Sequence, residues 1–207
     1  MFNFAKAMKN PNSYYTKNQL DKIGNTVIYL SDNCKVDLYK TNLLKLIYIL
    51  EEASIKKYGI PFFNIDFKIW RLGPVQTDLY YELTEGLEDF SEYFMIKKND
   101  RGVFVEPISD FNDDEFSDND IELMDLILKT YSHKNSTDLI DITHQIDKPW
   151  YIQAKELDLL NENGDLKAKI TDESIDFERC LDNESIQFQL YHRAKESQNV
   201  FDSFIHL

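Results

Sequence analysis

The apolar residues of this chain recur at helical spacing over most of its length. Between Gln19 and Leu30, the side chains Leu20, Ile23, Val27 and Leu30 share one face, with Gly24 a mild defect in it. The Ser31-Asp32-Asn33 cluster ends that segment. Asp37 is placed to cap the next helix, whose buried stripe is Leu43, Leu44, Ile47, Leu50 and Ser54 and whose stop is Gly59 with Pro61. It is the best core helix in the pattern and is expected at the centre of the fold. Residues 62–70, rich in aromatics and Ile, alternate in part and predict a strand or extended segment crossing the core.

Gly73-Pro74 then breaks the chain. A helix is expected from Pro74 or Val75, with Val75, Leu79 and Leu83 aligned and Gly86 at its exit. Two short strands, Phe94 to Lys98 and Val103 to Pro107, flank a four-residue loop and predict a hairpin. After an acidic loop, Ser117 or Asp118 caps a helix through Ile121, Met124, Leu128 and Tyr131. Ser136 or Thr137 starts a short helix with Leu139, Ile140 and Thr143 turned inward, and Pro149-Trp150 opens another. Asn163-Gly164 marks a turn, and Thr171 is placed to cap a helix containing Ile175 and Cys180. The tail carries Ile186, Leu190 and Tyr191 at helical spacing, then Val200, Phe201 and Phe204. The pattern therefore predicts a mostly α (α+β) protein: a compact helical domain with a small β-hairpin. Its expected divisions are an N-terminal arm (1–18), the helical domain with its hairpin near 93–107 (19–182), and a C-terminal helix or tail (183–207).

Charge changes the picture more than composition does. The 207 residues hold 23 Lys and Arg against 37 Asp and Glu, a formal net charge of -14. Residues 1–60 hold nine Lys and five acids, a balance of +4, which leaves -18 for the remainder. Nine acids and no Lys or Arg lie between Gly102 and Leu128. Such a balance disfavours direct nucleic-acid binding, which needs a cationic face. It suits either a solvated face or a contact surface for a basic partner, for which Asp113, Asp114, Glu115 and Asp118 are the candidates. The aromatic content of 14% argues for a packed core despite the charge. No apolar run is long enough for a membrane span and no signal-peptide pattern opens the chain, so a cytoplasmic setting is expected. Two Cys, Cys34 and Cys180, are too few for a disulfide scaffold, though they leave room for one bridge.

Motifs for chemistry are scarce. The sequence has no P-loop, no G-x-G-x-x-G, no H-E-x-x-H and no serine nucleophile elbow, and its four His and two Cys form no metal-ligand spacing. Neither a catalytic residue nor a cofactor or metal site is assigned. Two clusters are more specific. In Ile69-Trp70-Arg71-Leu72-Gly73-Pro74-Val75, Trp70 is expected to bury its ring, Arg71 to pair with an acid, and Gly73-Pro74 to fix the turn into the next helix. In Thr143-His144-Gln145 with Pro149-Trp150, His144 is expected to bond backbone and Trp150 to cover one end of the core. An enzyme reading would centre on His144 and nearby carboxylates.

These clusters, in this order, resemble the Panacea domain, the SocA-like antitoxin family also seen in phage-associated proteins. The resemblance begins at Leu43-Leu44-Lys45-Leu46-Ile47-Tyr48 and runs through Tyr58-Gly59-Ile60-Pro61-Phe62-Phe63. It continues in the Trp70, Arg71, Gly73, Pro74, Val75 block with Leu79-Tyr80, and closes with Leu139, Thr143, His144, Pro149 and Trp150. It covers about residues 20–160. It implies an antitoxin that neutralises a cognate toxin by direct protein–protein binding; the family pattern marks fold positions and carries over no catalytic residue. A phage or mobile-element accessory protein binding a host protein fits the same sequence. Surface aromatics are compatible with a homodimer, and a helix-turn-helix for autoregulation would have to lie in 17–57.

Overall fold

The computed structural model describes residues 15–34, 37–86 and 88–205, with side chains through residue 197. Most of the expected arm, 1–14, lies outside the described residues. Helix α1 (Lys17–Asn33) starts two residues earlier than the apolar spacing predicts, because Thr16 and Gln19 form a reciprocal capping box. A two-residue strand β1 (Leu38–Tyr39) leads directly into α2 (Lys40–Tyr58). Tyr39 is the residue at the N-cap of α2 and makes no side-chain capping bond, so Asp37 does not cap this helix. Instead, Asp37 pairs with Arg101 at 3.4 Å. At the far end Gly59 takes the left-handed conformation, φ +69°, and its N–H closes on Ile55.

Helix α2 is the centre of the molecule, as its pattern predicts, but it is buried more completely than a stripe requires. From Leu43 to Glu52 every residue is buried, Lys45, Glu51 and Glu52 included. It packs against α4 (Asp118–Tyr131) and α5 (Ser136–Thr143), and against α7 (Ile186–Ile205), and shares one hydrophobic core with α1. Helix α4 carries the predicted Ser117 cap, returned by Asp120 in a second capping box. Helix α5 is capped by Asn135, one residue before the expected start. On α7, Tyr191 is buried against the core, while Ile186 and Leu190 are exposed.

Residues 62–70 supply one short strand, β2 (Lys68–Trp70), which pairs antiparallel with β3 (Gly73–Val75) across a tight turn at Arg71-Leu72. Val75 therefore lies in a strand, and the next helix, α3 (Thr77–Tyr81), starts after Gln76, whose side chain accepts the Leu79 N–H. A π turn (Glu82–Gly86) follows. The hairpin forms as expected, β4 (Phe94–Asn99) with β5 (Gly102–Pro107). Its third strand has no counterpart in the apolar pattern: β1 pairs with β5 through Leu38 with Val105 and Tyr39 with Phe104. The helix expected after Thr171 does not form. The segment is drawn to the free edge of β2, where Ile69 N–H bonds Glu173 O, Ile175 N–H bonds Phe67 O, and the Thr171 hydroxyl donates to Ile69 O. Only a 3-10 turn (Phe177–Cys180) follows. Helix α6 (Pro149–Glu156) begins on Pro149 as predicted. Cys34 and Cys180 are both free thiols. No described helix is long and apolar enough to cross a membrane.

Gly24 is a packing requirement rather than a defect. The ring of Tyr93 lies flat on α1 there, and a Cβ at Gly24 would sit 2.3 Å from it. The Tyr93 hydroxyl donates to Asp21 and fixes the ring in place. Gly24→Ala gains helix propensity of about 1 kcal/mol but must displace that ring. The expected net result is a loss of about 1–3 kcal/mol, read by urea unfolding; a more stable variant would show that the ring moves freely.

Candidate functional site

The β2–β3 hairpin and the α5–α6 segment meet, and with them every family-motif residue singled out in the sequence. Trp70 and Trp150 are both buried. The Trp150 indole N–H donates to Trp70 O at 3.0 Å. His144 places Nε2 against Arg71 O at 3.2 Å and Nδ1 against Ile140 O at 2.6 Å. Lys45, from the middle of α2, donates Nζ to Pro74 O at 2.8 Å. Three carbonyls of the hairpin thus face side chains from three other elements, α6, the C-terminal cap of α5 and α2. Gly73 makes this approach possible: φ is +96°, and a Cβ would lie 2.7 Å from Thr143 Oγ1 and 3.0 Å from Lys45 Nζ. Pro149, buried at the first turn of α6, sets the position from which Trp150 reaches back. Arg71 finds no acid among the described residues. Its guanidinium donates to Leu166 O and Lys167 O and ties down the segment before the β2 edge.

The electrostatics of this lock follow from burial. Lys45 is 2% exposed, and burial lowers its pKa to about 7. His144 is held below the ordinary histidine value, burial outweighing its two carbonyl contacts, with Lys45 adding to the shift. Both ring nitrogens face carbonyl oxygens, and a neutral imidazole has one N–H to give, so it donates to one of the two and to both only when protonated.

Beside the lock lies a pocket of about 410 Å³. Its walls are apolar and aromatic: Leu44, Trp70, Val75 and Tyr80, with the Tyr80 ring edge-on to Trp70 at 5.0 Å. Leu72 and Ile170 stand at its rim, 61% and 55% exposed. Lys40, Lys45, Arg71 and Lys169 also line it, and no acid does. The Lys40 ammonium sits 4.3 Å over the Tyr80 ring and reaches Thr84. None of these four cations has a carboxylate partner among the described residues. Sequence reading missed Lys40, Lys45, Lys169 and Ile170. The available signal was Lys45 itself, a lone cation inside the apolar run 43–50.

The acidic candidates lie elsewhere. Phe111 and Phe116 turn inward from their loop, against Tyr29 and Phe62, and Asn112 N–H bonds Asn25. Asp113, Asp114 and Asp118 are left exposed and Glu115 half-buried. Other acids of the run have internal partners: Asp120 pairs with Lys22 at 3.2 Å and Asp125 accepts from the Tyr29 hydroxyl. Among the described residues no group of His, Cys, Asp and Glu is arranged to hold a metal ion.

Comparison with protein families matches residues 43–151 to the antitoxin SocA-like, Panacea domain. That stretch runs from the first buried leucine of α2 through the β2–β3 hairpin to the Trp150 side of the lock. Neither curated proteins nor solved structures give a match.

Proposed function

The chain belongs to the SocA-like Panacea antitoxin family, and from that premise we propose that it neutralises a cognate toxin by direct protein–protein contact in the cytoplasm. The antitoxin-like, protein-interacting role comes with the family; neutralisation by contact is the finer reading. The observation that carries it is the match over residues 43–151, which spans the whole lock. The lock supports a binding role because its motif residues are spent on holding backbone: Trp150, His144 and Lys45 each engage a hairpin carbonyl. A nucleophile or base would need a free atom facing a substrate. The burial of α2, where only Lys57 is exposed, speaks against its use as a recognition helix in a DNA groove.

The test is co-expression with the protein encoded by the adjacent open reading frame. Growth rescue together with co-purification of the two chains is the expected result. A toxic neighbour that is neither rescued nor bound would overturn the reading. The acidic loop supplies a second, kinetic expectation. The exposed carboxylates of Asp113, Asp114 and Asp118, with the half-buried Glu115, would steer a basic toxin surface toward the complex. Changing all four to their amides should slow association several-fold at low salt and little at high salt, measured by stopped-flow mixing. Equal low-salt rates would remove the loop from the encounter.

A further inference from the structure

We propose that the pocket between the β2–β3 hairpin and Lys169-Ile170 is the docking site for a segment of the toxin that carries an apolar side chain beside a carboxylate. The proposal rests on the antitoxin reading above and gives it a location. Its warrant is charge complementarity. In a chain with net charge -14, Lys40, Arg71 and Lys169 line one pocket together with the buried Lys45, with no acid in the lining and no ion-pair partner among the described residues. A cationic lining on an acidic protein selects against basic or neutral intruders and draws a carboxylate. The walls select further, because Leu44, Trp70, Val75 and Tyr80 offer an apolar, aromatic surface rather than a polar cradle. The two exposed aliphatic side chains at the mouth extend that surface outward, as an anchor residue with flanking contacts requires. A nucleic-acid strand fits less well, since the pocket is small and the surrounding charge would repel its phosphates.

The lock explains why this place is rigid enough to serve. Trp70 is held from behind by Trp150, Arg71 by the carbonyls of 166 and 167, and the Pro74 carbonyl by Lys45. The pocket is therefore preformed, and the partner pays little to organise it.

Lys169→Glu and Leu72→Asp test the site separately, one by charge and one by apolar contact. Both side chains are exposed, so unchanged melting curves are expected to accompany them. Each variant of the full chain is titrated with the purified protein from the adjacent open reading frame. We expect at least a tenfold loss of affinity for each, loss of growth rescue, and recovery of Lys169→Glu binding by an acid-to-lysine change in the toxin. If the wild-type chain binds that protein and both folded variants bind it equally well, the docking site is wrong while the antitoxin reading stands. If the wild-type chain neither binds nor rescues, the reading falls and takes the site with it. If the variants instead abolish self-association of this chain, the pocket is a homodimer contact and the proposal is overturned.

Discussion

Trp150→Ala is expected to lower the stability of the protein by about 3–5 kcal/mol. At this chain length that corresponds to a fall in melting temperature of roughly 6–20 °C. Trp150 is 1% exposed, so its removal leaves a cavity the size of an indole at the join of α6 and the β2–β3 hairpin. Two further losses add to the cavity. The Trp70 carbonyl is left without its donor, and the His144 ring loses its neighbour at 3.8 Å. Trp150→Phe separates the terms. It fills most of the volume but cannot donate, so its cost should be close to that of one buried unpaired carbonyl, about 1–3 kcal/mol. Because Trp150 holds the carbonyl of Trp70, both variants should also weaken toxin binding at the proposed pocket. A melting temperature for Trp150→Ala within 2–3 °C of the parent, the shift that about 1 kcal/mol produces, would show that the lock does not hold the fold.

Much of this arrangement was legible in the sequence, and the failures have physical causes. The long helices were found because α1, α2 and α4 repeat their apolar residues over several turns. The two clusters singled out in the sequence meet in space. Their contacts were less legible, because nothing local in Arg71 says that it will bond carbonyls a hundred residues away instead of an acid. The helix expected after Thr171 failed for the same reason: its local cap chemistry lost to the unsatisfied edge of β2. Val75 followed the Gly-Pro break into a strand rather than a helix because the hairpin turn sits before Gly73, not after it. Gly24 was misjudged because propensity is a local quantity and the Tyr93 ring that needs the space comes from 69 residues further along. Buried charge was the largest omission. Lys45, Glu51 and Glu52 stand in or beside an apolar run, where the stripe pattern assigns them to solvent, yet α2 is enclosed on every side.

Those buried charges should give the protein a pH dependence opposite to ordinary acid denaturation over part of its range. Glu51 is buried and accepts the Phe63 N–H at 2.7 Å, closing the loop that follows α2. Burial raises its pKa from 4.5 to about 7, against the pull of backbone donors at residues 62–64 and of Lys22. The folded state therefore binds the Glu51 proton more tightly than the unfolded state. The stability this contributes is fully present below pH 4.5 and is lost as pH rises through 7. Over that window the loss amounts to about 3 kcal/mol. Glu82, also buried, has its pKa raised to about 7 and acts in the same direction. Lys45 acts in the next window with the opposite slope. Its folded pKa of about 7 lies below its ordinary 10.5, so the cost of burying its charge is full below pH 7 and is relieved as pH climbs toward 10.5. The two windows meet near neutrality, and their joint contribution is least stabilising there. His144 opposes the acids at the low end, since its lowered pKa makes the folded state gain stability as pH rises toward 6.5. Difference measurements remove such background. Urea unfolding of the wild-type chain and Glu51→Gln from pH 4 to 7.5 should show a difference in stability that changes by about 3 kcal/mol, the wild type losing ground as pH rises. Lys45→Met compared in the same way from pH 7 to 10 should show the wild type regaining ground. A flat difference in the first comparison would mean that Glu51 titrates in the fold as it does in the unfolded chain, its backbone donors cancelling the effect of its burial.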